Sequence, residues 1–474
     1  MTTAVRVGLL GCGNVGGALV RLLVEDADRI AARTGLSLAL AAVAVRSQSR
    51  ERDAPIPPGV LTTDTHSVVE DPRVDVVVEV IGGIEPARTL ILSALKAGKP
   101  VVTANKELLA NCGAELFEAA STAGVDLLFE SSVAGGIPLI RPLRESLAGE
   151  RIRRIIGVVN GTTNFILTRM SESTASYHDA LAEAQSLGYA ERDPTADVEG
   201  FDAAAKAAIL ANVAFGVRVV AGDVYREGIS SITAADISMA RRLGYAVKLL
   251  AVVEHEGGPG EDRHSGSSEG PGAGGDAAGG DRVAGGPTAG EPPVAQGESV
   301  AVRVHPAMVP LTHPLAAVRD SFNAVFVEGD AVGELMFLGR GAGGMPTASA
   351  VLGDLLDASH NLTTGGAGRS VALRHVAIRL IDDLQSAYYL TLHVADRPGV
   401  LHAVSGVFGR HDVSIRLMEQ ESSPAEAARR SGPAARLVFV THPAYERDIQ
   451  ACLHDLRHLD VVDQIGGLLR VIGT

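Results

Sequence analysis

The segment Gly11-Cys12-Gly13-Asn14-Val15-Gly16 constrains this chain more than any other, because an apolar run (residues 5–10) leads into it and a helical periodicity (residues 15–33) leads out. In that setting the first glycine permits a tight turn and the second lets backbone approach a pyrophosphate. The third allows helix and strand to pack closely. The helix aims its free N–H groups and the positive end of its dipole at an anion. Gly11, Gly13, Asn14, Val15 and Gly16 are therefore candidate dinucleotide-binding residues. Further apolar runs at residues 38–45, 74–80, 100–103 and 125–130 alternate with helical segments, among them residues 107–123. Continuous Val/Leu-rich strands separated by helices predict a parallel sheet covered on both faces.

The expected unit is a doubly wound α/β, Rossmann-type nucleotide-binding domain. Its second strand closes on Val45-Arg46-Ser47, with Arg50 and Arg52 behind and no carboxylate before Glu51. An acidic residue there would bind the ribose 2′-hydroxyl of NAD, whereas arginine holds a 2′-phosphate through charge-assisted hydrogen bonds. The reading is NADP through Arg46, with NAD as the alternative cofactor. The plainer account of Arg46 is a solvated loop charge.

Beyond residue 150 the pattern becomes mixed α+β, with a strand at residues 153–159 and helices at 164–171, 177–187 and 201–215. Strand character returns at 300–304 and 324–327. The glycine-rich tract at 257–297 cannot bury enough apolar surface to offset its ordering entropy, and is expected to be a disordered insertion between two strands. Residues 363–385 read as a linker. After it come a strand (388–394), a helix (400–411), strands at 413–419 and 435–441, a helix (445–456) and a strand (467–472). That βαββαβ order predicts a ferredoxin-like unit.

A chain of 474 residues exceeds one ordinary core and suggests roughly three domains. Its net charge of -14 argues against a nucleic-acid-binding surface, which needs clustered Lys and Arg. No apolar run approaches the ~20 residues that span a bilayer, and the opening residues enter a strand pattern at once, leaving no room for a signal peptide. Cys12, Cys112 and Cys452 are widely spaced, without metal-type pairing. The expectation is a soluble cytoplasmic protein that binds neither membrane nor nucleic acid.

Two lysines stand out. Lys106 follows Val101-Val102-Thr103-Ala104-Asn105 at the C-terminal end of a parallel strand, the edge where ligands of open α/β sheets gather. It either faces a nicotinamide or is an ordinary helix-start lysine. Lys206 shares a helical stripe with Asp202, Ile209 and Val213. A lysine so placed is either a candidate proton donor with a shifted pKa or a snorkelling residue with an i,i+4 ion pair.

Several longer motifs carry a family resemblance. Leu187-Gly188-Tyr189-Ala190-Glu191-Arg192-Asp193-Pro194 and Asp197-Val198-Glu199-Gly200-Phe201-Asp202-Ala203-Ala204-Ala205-Lys206 resemble the homoserine dehydrogenase signature. So do Thr103-Ala104-Asn105-Lys106, Glu130-Ser131-Ser132-Val133-Ala134-Gly135-Gly136-Ile137-Pro138, Asn160-Gly161-Thr162-Thr163-Asn164 and the glycine-rich run from Gly339 to Thr347. The resemblance implies reversible reduction of L-aspartate 4-semialdehyde to L-homoserine with a nicotinamide cofactor, a step of threonine, methionine and isoleucine biosynthesis. It implies Lys206 as proton donor, Lys106 assisting beside the nicotinamide, and Glu191, Asp197 and Asp202 around the substrate. It further implies Gly188 and Gly341 near the cofactor, and a monovalent-cation site (Na+ or K+) of Glu130 with the carbonyls of Val133, Gly135 and Ile137. The related aspartate-semialdehyde dehydrogenases need a nucleophilic cysteine to form a thioester, and none of the three cysteines is placed for that.

Val394-Ala395-Asp396-Arg397-Pro398-Gly399-Val400-Leu401 resembles the opening of an ACT domain, which implies a small amino-acid ligand, here L-threonine. Residues 422–432 insert Pro, Ala and Arg429-Arg430 between its second and third strands, a departure that puts inhibition by threonine in question. The expected layout is an NAD(P)-binding Rossmann domain at 1–136, closed by a returning segment at 335–362. An α+β catalytic and dimerisation domain at 137–334, the linker at 363–385 and an ACT domain at 386–474 complete it. The assembly is expected to be a homo-oligomer, dimer or tetramer.

Overall fold

A computed structural model describes residues 3–173, 175–256, 298–368, 371–422 and 434–473. The tract at 257–297 and residues 423–433 of the C-terminal insertion lie outside the described residues.

The N-terminal region contains β1 (Thr3–Leu10), α1 (Asn14–Glu25), α2 (Ala27–Thr34), β2 (Leu36–Ala44), β3 (Leu61–Thr62) and α3 (Thr65–Glu70). It continues through β4 (Val76–Glu79), α4 (Ala87–Lys96), β5 (Val101–Thr103), α5 (Lys106–Ala123) and β6 (Leu127–Leu128). The strands form a wholly parallel sheet in the order β3-β2-β1-β4-β5-β6. This is the doubly wound order, whose switch point between β1 and β4 opens a crevice at the strands' C-terminal ends. The single helix expected over 15–33 is two. Asp26 closes α1 by donating its N–H to the Leu22 carbonyl, and its carboxylate takes Arg29 Nη2 at 2.8 Å. A short acidic side chain that competes for local partners favours a helix end over a helix interior.

The middle of the chain carries α6 (Ile140–Arg144), β7 (Ile152–Val158), α7 (Gly161–Ser173), α8 (Tyr177–Ser186), α9 (Thr195–Val198), α10 (Phe201–Phe215), β8 (Tyr225–Arg226) and α11 (Ala234–Arg242). It ends with β9 (Tyr245–Glu256), β10 (Ser299–Pro310), β11 (Phe322–Gly329), β12 (Gly333–Arg340) and α12 (Gly344–Thr364). Strands β12-β11-β7-β9-β10 make an antiparallel sheet that α10 packs against. Helix α12 returns to the first sheet. Its Ala348, Val351, Leu355 and Ala358 share a buried core with Leu9, Leu19 and Val20.

The C-terminal part adds β13 (Ala377–Ile378), β14 (Gln385–Ala395), α13 (Val400–Arg410), β15 (Ile415–Ser422), β16 (Ala434–Thr441), β17 (Ala444–Tyr445), α14 (Glu446–Arg457) and β18 (Val462–Val471). The strand order β18-β14-β16-β15 is antiparallel throughout and ferredoxin-like. This sheet is not free-standing. One edge of β10 is fully paired with β9. The other is covered piecewise in parallel by β13 at Ser299–Val300, β8 at Arg303–Val304 and β18 at Ala307–Met308.

Strands β9 and β10 stay in register to Glu256↔Ser299, so residues 257–297 connect two ends already held together. Shortening such a loop about tenfold lowers its closure cost by only about 2 kcal/mol. A variant with residues 257–297 replaced by a short Asn-Gly turn should keep wild-type turnover and an equal or higher Tm. A loss of turnover at unchanged Tm would show that the tract serves the reaction.

Candidate active site

Three glycines shape the end of β1 in different ways. Gly11 sits at φ +101°, and its N–H donates to the Ala44 carbonyl at 3.0 Å. A Cβ on Gly16 would stand 2.1 Å from the Gly11 carbonyl oxygen, so only glycine lets α1 start this close to the strand. A Cβ on Gly13 would meet nothing within 4 Å, which leaves open space in front of the helix N-terminus. These residues fit a pyrophosphate.

Two clefts flank this loop. The larger, of about 760 Å³, is lined among others by Val15, Lys106, Gly135, Gly188, Glu191 and Gly341. The second, of about 500 Å³, is lined by Cys12, Gly13, Asn14, Arg50, Arg52 and Gly344. Arg46 is exposed just past the end of β2 and lines neither cleft. Arg52 folds back, donating to the carbonyls of Arg50 and Ser47.

At the C-terminal end of β4 and β5 a buried relay aligns Lys106. Glu79 accepts the Ile81 N–H at 2.8 Å and the Gly82 N–H at 3.1 Å, and its other oxygen accepts the Thr103 hydroxyl at 2.6 Å. Thr103 in turn accepts the Asn105 N–H, and Asn105 caps α5 by accepting the Leu108 N–H at 3.1 Å. Lys106, the first residue of α5, extends into the large cleft and forms an ion pair with Asp202 Oδ1.

The other oxygen of Asp202 faces Lys206. Lys206 Nζ donates to Asp202 Oδ2 at 2.6 Å and to the Val159 carbonyl at 2.7 Å, with only 7% of the residue exposed. One carboxylate therefore stands between two ammonium groups. Burial opposes its ionisation, but Lys206 and Lys106 outweigh that and hold it well below the usual carboxylate range. Burial lowers the pKa of Lys206 despite Asp202. For Lys106 burial is again the largest influence, yet Asp202 overcomes it and the net direction is upward. The two lysines are thus unequal, and Lys206 is the one biased toward giving up its proton.

Two buried asparagines hold this arrangement, and neither was singled out from sequence. Asn160 Nδ2 donates to Asp197 Oδ1 at 2.7 Å and to Asp202 Oδ2 at 2.9 Å, while its Oδ1 accepts both the N–H and the hydroxyl of Thr163. The Thr163 donors fix the amide's orientation. A flipped amide would turn its oxygen on two carboxylates. Asn323 donates to the same Val159 carbonyl that Lys206 uses, and fills the space a Cβ on Gly341 would need. The available signal was the Asn160 motif itself, whose asparagine begins a helix-capping turn.

Glu191 is exposed and lines the cleft, with no side-chain partner among the described residues. Gly188 lines it too, at φ +75°. The carboxylate of Glu130 is turned elsewhere. It accepts the main-chain N–H groups of Leu139, Ile140 and Arg141 at the start of α6. Both oxygens of that carboxylate are thus engaged by main-chain donors. Ala134 and Gly135 both take positive φ, at 56° and 55°. Among the described residues no group of three or more His, Cys, Asp or Glu side chains could hold a metal ion. Nor is any described helix long and apolar enough to cross a membrane.

Replacing Asn160 by Leu removes two hydrogen bonds to buried carboxylates, each of the charged class worth about 1.5–3 kcal/mol. Chemical denaturation should show a loss of about 2–4 kcal/mol, and turnover should fall by more than unfolding explains. An unchanged denaturation midpoint would refute the clamp.

Comparison with known proteins points to a single family. The profile described as homoserine dehydrogenase matches residues 138–356, that described as homoserine dehydrogenase, NAD binding domain, matches 11–130, and the ACT domain profile matches 388–451. The homoserine dehydrogenase of Mycobacterium tuberculosis is 46% identical over 471 residues, covering 99% of this chain and 98% of that one. A crystal structure of a homoserine dehydrogenase from Thiobacillus denitrificans aligns with a TM-score of 0.83 at 37% identity, over 99% of this chain and 98% of the other. A hyperthermophilic archaeal homoserine dehydrogenase in complex with NADPH aligns with a TM-score of 0.56 at 29% identity, over 76% of this chain and 98% of that one.

Proposed function

The chain belongs to the homoserine dehydrogenase family, whose members interconvert L-aspartate 4-semialdehyde and L-homoserine, and from that premise we propose how its cleft divides the work. The observation that carries the reading is the Lys106–Asp202–Lys206 row, which lies in the same cleft as the start of the glycine-loop helix.

A nicotinamide cofactor, when bound, supplies the hydride that reduces the aldehyde carbon. Negative charge then develops on the carbonyl oxygen, and Lys206 Nζ stabilises it and delivers the proton. In the reverse direction the neutral amine of Lys206 takes the hydroxyl proton of homoserine. Asp202 keeps Nζ aimed and offsets the cost of burying it. Lys106 stays an ammonium throughout and adds a fixed positive field beside the nicotinamide. Glu191, free of protein partners among the described residues, takes the substrate ammonium, while Asp197 and Asp202 shape the pocket around it.

NADP is the preferred cofactor in this reading. Its 2′-phosphate is held by Arg46 at the end of β2 together with Arg50 and Arg52 of the adjoining cleft. The absence of a carboxylate before Glu51 supports this, as does the NADPH carried by the archaeal relative. A monovalent cation, Na+ or K+, sits among the main-chain carbonyls of Glu130, Val133, Gly135 and Ile137, in a structural role. The C-terminal ACT module takes a small amino acid, L-threonine, near Asp396–Gly399, where Gly399 at φ +90° starts α13. The enzyme works in the cytoplasm as a homo-oligomer.

Two measurements test these assignments. Lys206→Met should lower homoserine-dependent NADP reduction by about 10²–10⁴-fold while NADP still binds. An active Lys206→Met enzyme would remove Lys206 from the reaction. Because burial lowers the Lys206 pKa, its ammonium is lost as pH rises through a value below that of free lysine. Aldehyde reduction should therefore fall, and homoserine oxidation rise, through one shared alkaline midpoint that is absent in Lys206→Met. For the cofactor, Arg46→Ala and Arg50→Ala should each raise the KM for NADP about tenfold, as losing one charge-assisted contact predicts, and leave the KM for NAD unchanged. Equal effects on both cofactors would argue against a 2′-phosphate site.

A further inference from the structure

We propose that Arg470, on the last strand of the C-terminal module, is a positioning residue for the substrate pocket, acting through Glu227. The inference rests on the reading of Asp197 and Asp202 as substrate-pocket residues.

Arg470 is 2% exposed. Its guanidinium is divided between two partners: Nε and Nη2 reach Glu446 Oε2 of its own module at 2.9 and 2.7 Å, and Nη1 reaches Glu227 Oε1 at 2.8 Å. Glu227 also accepts the hydroxyl of Tyr225, whose ring lies under the Arg470 guanidinium at 5.4 Å. A buried arginine shared in this way fixes the direction of both carboxylates, because its donors form a rigid planar fork.

Glu227 belongs to the turn that follows β8, and this turn backs the segment carrying the pocket aspartates. The Ile229 N–H donates to the Val198 carbonyl at 2.8 Å, one residue after Asp197. Gly228 has no room for a Cβ, which would stand 2.5 Å from the Val198 carbonyl oxygen and 2.4 Å from Glu199 Oε2. On the far side of the same segment Arg226 covers the ring of Phe201 at 3.7 Å, at the start of the helix that carries Asp202 and Lys206. A displacement of the turn is therefore passed to Val198 and Gly200, the residues flanking Glu199 between the two aspartates. The turn itself is held from one side by β10, through the Glu227 N–H to Val304 carbonyl bond of 2.8 Å, and from the other by Arg470.

The module has other anchors. Asp236 of α11 accepts Arg436 Nη2 at 3.0 Å and the Tyr389 hydroxyl at 3.2 Å, and Arg242 pairs with Glu419 and Glu421. Removing the Glu227 charge thus leaves the module docked and Arg470 paired with Glu446. The effect falls on the turn.

The test is steady-state kinetics of the full-length enzyme, varying homoserine and NADP separately, for wild type, Glu227→Gln, Arg470→Lys and the double variant. The KM for homoserine should rise about five- to tenfold in each single variant, in the range of coupling between sites. The KM for NADP and kcat should stay within about twofold, and the double variant should be no worse than the worse single one, as for residues acting through one contact. An unchanged homoserine KM overturns the proposal. So does a loss that affects homoserine and NADP alike with a lowered Tm, since that marks simple docking. A wild-type enzyme without homoserine oxidation would strike the pocket reading itself, and this proposal with it, whereas silent variants of an active enzyme strike this proposal alone.

Discussion

Everything in the large cleft is arranged around one carboxylate between two ammonium groups. Asp202 is almost fully buried, and an unpaired charge there would be costly. With Lys206 on one oxygen, Lys106 on the other and the Asn160 amide alongside, the charge is compensated without being neutralised. The compensation is also directional. Each lysine reaches Asp202 from a different sheet's periphery, Lys106 from the end of β5 and Lys206 from the helix over β9 and β10. The Lys106 ion pair therefore joins the parallel-sheet part of the molecule to the helix that carries both Asp202 and Lys206.

Much of this was legible in the chain, for reasons that differ between elements. The glycine loop was readable because each of its constraints is local: a left-handed φ at Gly11, and no room for a side chain at Gly16. The stripe of Asp202 and Lys206 was readable from helical spacing, but spacing alone leaned toward a snorkelling lysine with an ordinary ion pair over a proton donor. Burial excludes the snorkelling surface residue, and burial is set by β9, β10 and the chain around Val159. Asn160 was hidden in plain view. Its amide matters because two aspartates, distant from it in sequence, converge on it, and convergence is a tertiary fact. Strands β9 and β12 escaped local pattern for another reason. The run Leu249–Val253 is apolar on both faces, so its periodicity fits a buried helix as well as a strand. The Arg46 reading came from the end of β2, while the cleft beside the glycine loop is lined by Arg50 and Arg52, a loop geometry that strand-end reasoning does not resolve.

The C-terminal module illustrates how a familiar unit can be joined in an unexpected way. Its ferredoxin-like order follows from its own pattern, and nothing in that pattern says that β18 would continue the catalytic sheet through Ala307 and Met308 of β10. Likewise residues 363–385 read as a tether, yet part of that stretch forms β13 and Arg374 exchanges main-chain hydrogen bonds with Gly216 and Arg218. The module is consequently applied to the turn that backs the segment from Asp197 to Asp202, through β18 and Arg470.

The piecewise edge of β10 also sets an order in time. During synthesis the partners β9 and β8 of β10 are made before it, whereas the pieces that cover Ser299–Val300 and Ala307–Met308 are made well after it. Until residues 377–378 and then 470–471 leave the ribosome, the catalytic sheet presents unpaired main-chain groups of the kind that recruit other strands. That edge of β10 is thus complete only when β18 closes it.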